Sequence, residues 1–201
     1  MREWWLRTIL VLSAPRPVFA ALRDDSNESA AFRSEPVLLV VWLAGMVFVL
    51  STRTAAHSMD GSDGYDATLL AIWTFLAGGL FGGVFYWVLG GILHRVTLLL
   101  GSQGSYRRAR HILAFSTVPV ALSLLVLWPV KLAVYGSALF HEGGPDSDTG
   151  GKLFEALSLG FLVWSACLLV VGVRAVHGWS WGRALAAAAA PILLTAAFLA
   201  F

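Results

Sequence analysis

The residues able to do chemistry in this chain are few, and their spacing points away from catalysis. The only cysteine, Cys167, lies in the apolar run 162–173. Alone it can form neither an intrachain disulfide nor a cysteine metal site, and it reads as a small packed hydrophobe. Five histidines stand at positions 57, 94, 111, 141 and 177. A three-histidine metal centre would have to draw on His94, His111 and His177. These come from separate segments without close ligand spacing, with arginines around them, and hydrogen bonding to headgroups or backbone is the reading adopted. There is no G-x-S-x-G elbow, H-E-x-x-H pair or Walker loop, and no two carboxylates share an apolar stretch. No enzyme activity, cofactor or metal is expected.

Other marked residues concern membrane helices rather than reactions. Gly78/Gly82 and Gly79/Gly83 are small-xxx-small pairs, whose four-residue spacing lets a neighbouring backbone approach closely. They serve either packing within the chain, a dimer seam, or a thin wall beside a substrate path. Pro119 and Pro129 each remove a helix hydrogen bond, and the resulting kinks either mark a gate or shape packing. Lys131 follows two residues on. A charge at mid-bilayer costs about 2.5–3.5 kcal/mol on the insertion scale. Counted from His111, however, Lys131 falls near the outer surface, where its stem can snorkel. An ion-coupling site is the alternative, but no acid inside another span offers a partner.

The elements that must hold these residues follow from hydropathy. The chain is 58% hydrophobic and 13% charged, against about a quarter charged in soluble domains. Its net charge of +2 gives no footing for nucleic acid. A bilayer span needs about 20 apolar residues. Five stretches qualify: 36–51 with Pro36 in the first turn, 67 to about 87 with helix continuing to 100, a span within 111–140, 157–173 and 184–201. The expectation is an all-α integral membrane protein in which residues 1–35 form a cytoplasmic segment and 36–201 a five-helix transmembrane domain. Arg7 and the Pro15-Arg16-Pro17 run argue against a cleaved signal. The start reads instead as an interfacial helix over 3–13, with Trp4 and Trp5 at headgroup level.

Arginine placement gives direction. Arg2, Arg7, Arg16, Arg23 and Arg33 precede the first span. Arg95, Arg107, Arg108 and Arg110 follow the second, and Arg174 and Arg183 flank the turn between the last two. The other two loops hold only Arg53 and Lys152 against Asp60, Asp63, Asp66, Glu142, Asp146, Asp148 and nearby Glu155. The positive-inside rule then places the N-terminus in the cytoplasm and the C-terminus outside, and the 12 Arg against 2 Lys with many Ala hint at a bacterial source, hence a cytoplasmic (inner) membrane. The same arginines either contact anionic lipid headgroups or an acidic partner, or merely set topology. Ser105-Tyr106-Arg107-Arg108-Ala109 and Ser180-Trp181-Gly182-Arg183-Ala184 echo one another, each followed by a proline motif at Pro119 or Pro191. Either spans two–three and four–five are a parallel repeat or the likeness is coincidental.

The opening Ala14-Pro15-Arg16-Pro17-Val18-Phe19, the glycine-rich span running to Gly90-Gly91-Ile92-Leu93-His94, the loop from Gly101 to Ala109 with Ser116-Thr117-Val118-Pro119 after it, and the turn from Gly172 to Gly178 together resemble the Yip family. These are the Ypt-interacting membrane proteins, and the likeness is to their short bacterial type. The resemblance implies five spans, a cytoplasmic N-terminus and no catalysis. Eukaryotic members bind Rab-type GTPases and one another in early secretory trafficking. The long acidic, proline-rich cytosolic extension of many of them is not found here, so GTPase binding is not carried over. The expected function is a membrane scaffold or adaptor, in trafficking or as a transporter accessory, binding itself or another membrane protein through the glycine face and basic loops. A small transporter or channel subunit and a lipid-binding membrane protein are the alternatives.

Overall fold

The computed structural model describes residues 2–60, 66–141 and 149–200, so Asp63, Glu142, Asp146 and Asp148 lie outside the described residues. Five helices in it are long and apolar enough to cross a membrane. Two short ones come first, α1 (Arg2–Leu10) and α2 (Pro15–Ala21). Then follow α3 (Asn27–Leu50), the four-residue α4 (Arg53–Ala56) and the 33-residue α5 (Ala67–Leu99). The third span is built from α6 (Tyr106–Ser116), α7 (Val118–Tyr135) and a 3-10 turn, Gly136–Phe140. The last two are α8 (Thr149–His177) and α9 (Trp181–Ala200). At 1.5 Å per residue α5 is about 50 Å long. It overshoots a hydrocarbon core of about 30 Å, as expected for a span that continues past its membrane segment.

Helix ends follow ordinary chemistry. Ser26, Asp66 and Ser105 accept from the backbone N–H three residues on and so cap α3, α5 and α6. Gly178, at φ +67°, terminates α8 in the left-handed conformation, its N–H donating to Arg174 O at 2.8 Å.

Two expected boundaries move. Pro36 lies well inside α3 rather than in its first turn, so the division at residue 36 falls within one continuous helix whose cap is ten residues earlier. The break in the third span comes at Thr117, and Pro119 sits in the first turn of α7. There a missing N–H costs nothing. Pro129, by contrast, is accommodated inside a continuous α7.

α3 packs against α5 more extensively than any other pair, because glycines remove the side chains between them. A Cβ on Gly45 would stand 2.0 Å from Gly78 O, and one on Gly82 would stand 2.2 Å from Val41 O. A Cβ on Gly79 would meet the Trp42 ring at 2.8 Å, and Trp42 Nε1 donates to Phe75 O at 2.9 Å. Three of the four marked glycines therefore pack within the chain, while Gly83 has nothing within 4 Å. Around this pair α7, α8 and α9 complete a ring, through contacts of α3 with α7, α7 with α8, α8 with α9 and α9 with α5. The two proline-bearing spans of the sequence echo differ. α9 runs unbroken through Pro191, whereas α6 and α7 are separate helices.

Candidate functional site

The arginine-bearing segments converge at one end of the ring, and Asp25 is their centre. Its Oδ1 accepts from Arg33 Nη2 at 3.1 Å and from Arg107 Nε at 3.0 Å, its Oδ2 accepts from Ser105 Oγ, and its carbonyl accepts from Arg107 Nη2. Arg107 Nη1 also donates to Asn27 Oδ1 at 2.9 Å. One step further out, Arg108 donates to Arg23 O and Arg23 to Ala175 O, at 2.9 and 2.6 Å. The chain of bonds thus ties the segment before α3 to α6 and to the end of α8. Arg183 donates to Leu100 O and stacks over Trp179 at 4.3 Å, joining α9 to the end of α5. Arg174 stacks over Trp181 at 4.5 Å.

Arg110 takes part through its planar face, 3.7 Å from the Trp87 ring centre and 4.6 Å from that of Tyr106. Its stem presses on Gly90, where a Cβ would come within 2.4 Å of Arg110 Cγ. Arg95 is exposed. Of the six arginines expected at the surface for a partner or lipid, five therefore also hold the fold together. His177 Nδ1 and Ser102 Oγ are 3.2 Å apart, His94 packs on Tyr106, and His111 is buried. Among the described residues no group of three or more His, Cys, Asp or Glu is placed to hold a metal.

Trp4 corrects an expectation. It is buried rather than at headgroup level, 5.7 Å from the Phe115 ring and beneath the Arg33 guanidinium at 5.5 Å. The non-local arrival of α3 and α6 supplies a better environment than the interface does. The opposite side of α1 presents Leu6, Ile9 and Leu10, all exposed, as an apolar face suited to lying in an interface.

Burial pushes the Asp25 carboxyl up, but the Ser105 hydroxyl and the Arg107 guanidinium outweigh it and hold it below the usual carboxylate value. A lowered folded value means stabilisation fully present above the unfolded value and lost as pH falls through the folded one. Hydrogen exchange across residues 14–26, taken relative to the intrinsic amide rate at each pH, should therefore stay slow from neutral pH down to about 4, the unfolded carboxylate range, and accelerate only below it. Acceleration already near pH 6.5, the histidine range, would show that another group holds the segment.

At the opposite end, His57 and His141 bracket Asp60, with Nδ1 to carboxylate distances of 3.0 and 3.2 Å. Met59 N donates to Phe140 O at 3.1 Å, joining the two connections there. Lys131 lies 4.6 Å from the Trp128 ring centre, towards this end of α7.

Inside the ring is a feature the sequence reading missed, an apolar chamber of about 500 Å³. All five spans line it, with Gly82, Leu113, Leu169 and Pro191 in its wall. Besides Tyr86, four serine and threonine residues line it. The hydroxyls of Ser116, Thr117 and Thr195 donate to carbonyls of their own helices, at 2.7, 2.9 and 2.8 Å. Ser165 Oγ is buried without a hydrogen-bond partner among the described residues. A second cavity of about 370 Å³ shares Phe48, Val120, Leu159, Leu162 and Leu199 with the first, and carries the lining out to Lys152 and Glu155. The available sequence signal was the pair of proline motifs, since the break before Pro119 and Pro191 itself both border the chamber.

With this geometry in place, comparison with known proteins decides the family. The Yip1 domain model matches residues 9–201. The chain belongs to the Yip1 domain family. No curated protein and no solved structure matches it. The Yip1 domain is that of a non-enzymatic family of membrane proteins, and its match takes in α2 and every span as well as all six arginines named above.

Proposed function

We propose that this Yip1 domain protein is a membrane adaptor, and that its arginine-rich end is a pre-formed cytoplasmic face docking a second membrane protein or another copy of itself. The observation that carries this reading is the Asp25 network. It joins three chain segments, remote in sequence, into one hydrogen-bonded surface. Preorganisation of that kind lowers the ordering cost of binding. The glycine face is filled by α3, so contact falls to the charged end, where Arg16 and Arg95 remain exposed. The positive-inside distribution supports a cytoplasmic position for this end.

Cross-linking in native membranes, followed by purification in mild detergent, tests the proposal. A defined partner or a homo-oligomer is expected, and its capture should fall when Arg16 and Arg95 are both replaced by glutamate, with the monomer still folded. Capture of neither sinks the adaptor reading. A reporter fused after Ala200 that is active only in the cytoplasm would contradict the orientation.

A further inference from the structure

We infer that the chamber holds one acyl chain of a membrane phospholipid, its headgroup seated at Lys152 and Glu155. The lining is graded as an amphiphile is. Around Leu169, Leu113 and Val120 it is apolar, and beyond Leu159 it leads to Ser158, Glu155 and Lys152. The length agrees as well. From Leu169 to Leu159 the chamber wall on α8 measures about 15 Å at 1.5 Å per residue. With the span of α8 centred near Ser165, this wall runs from about 9 Å on the Lys152 side of the bilayer centre to about 6 Å beyond it, a depth that one acyl chain anchored at that surface reaches. Lys152, about 10 Å further along α8, is then at the level of a lipid phosphate, and Glu155 one turn away faces the headgroup amine.

The same length argues against a protein occupant, since a spanning helix needs about 30 Å of continuous groove. Volume fits too, for about 500 Å³ lies within the range of roughly 300–1,000 Å³ typical of small-molecule sites. Leu159 and Val163 line the chamber and are 59% and 55% exposed. The wall is therefore open along α8, where a chain can enter sideways from the bilayer. Apolar tails make no hydrogen bond, so the unpartnered Ser165 hydroxyl is a cost this occupant leaves in place rather than a recognition group.

The test uses the full chain in nanodiscs of phosphatidylethanolamine and phosphatidylglycerol, with a trace of phosphatidylethanolamine bearing a diazirine near the end of one acyl chain. After illumination, labelled peptides are mapped by mass spectrometry. Label is expected at the chamber-lining, inward residues Ser165, Ala166, Leu169, Pro191, Ile192 and Thr195, besides the outward face of α5, which serves as the internal standard. Ala166→Phe and Ala196→Phe each put a ring into the chamber, from different helices. Each should cut the interior label about tenfold relative to α5, equivalent to about 1.4 kcal/mol. Ser165→Ala should retain it. Interior residues left unlabelled in the natural chain would overturn the inference, as would interior label unchanged in both phenylalanine variants. Loss of label in Ser165→Ala would also overturn it, because the occupant would then be a molecule held through that hydroxyl.

Discussion

Gly82→Ala is expected to destabilise the protein by about 3 kcal/mol, the upper end for an overpacked core, although it adds only a methyl group. The added carbon would lie 2.2 Å from Val41 O and 3.0 Å from Val41 C. Those are backbone atoms, so no rotamer change relieves the clash and α3 must move away from α5. The movement spreads along the helix pair, because Gly45 packs on Gly78 and Gly82 in the same way. Helix association in a bilayer depends on close packing rather than on a hydrophobic drive, which leaves little to offset the lost contact. Against a total of about 5–15 kcal/mol, the variant should show a much lower unfolding midpoint in detergent and a smaller folded fraction. Gly83→Ala is the control. It meets nothing within 4 Å and gains helix propensity of up to about 1 kcal/mol. Equal damage from the two, or none from Gly82→Ala, would contradict the α3–α5 contact.

That contact shows what was legible in the sequence and what was not. The spacing of Gly78 and Gly82 announces a close approach, but nothing in it names the helix that approaches. Gly45 stands alone in its span, without a pattern of its own. The number of spans was legible for a simpler reason, since continuous apolar runs of sufficient length allow few other structures. Boundaries were less so. Pro119 was expected to kink a helix at its own position. A proline ring crowds the residue before it and the carbonyl four back, and the chain resolves both by stopping at Thr117 and restarting. Trp4 was misread because its location depends on Arg33 and Phe115, which α3 and α6 bring from far along the chain. The chamber went unread for the same reason, as apart from the two proline motifs each of its walls looks like ordinary membrane helix. The arginines fall between these cases. The positive-inside rule accounts for the side they occupy, yet their partners are set by tertiary contacts some 80 residues apart in sequence, as with Arg107 and Asp25.

Asp25 therefore yields the other large expected effect, Asp25→Asn, which keeps the shape and removes the charge. The Arg33 side chain is 0% exposed and that of Asp25 12%. Stripping one partner from a buried pair typically costs 3–5 kcal/mol, because the charge left behind is uncompensated. The partial exposure of Asp25 places this case at the lower end, about 3 kcal/mol. Two guanidiniums, Arg33 and Arg107, would then face one neutral amide. Arg33→Met in the same chain replaces the stranded cation with an apolar side chain against Trp4. The double variant should recover stability relative to Asp25→Asn alone, giving a coupling within the roughly 0.5–3 kcal/mol seen for residues in direct contact. Unfolding in detergent measures the cycle, and limited proteolysis before α3 reports whether the segment has come loose. A full-strength Asp25→Asn variant, or a double variant losing the simple sum of the two, would show that Asp25 does not hold this end together. If it does, Asp25→Asn should also weaken capture of the proposed membrane-protein partner or second copy even though Arg16 and Arg95 are intact, because the face they stand on would no longer be rigid.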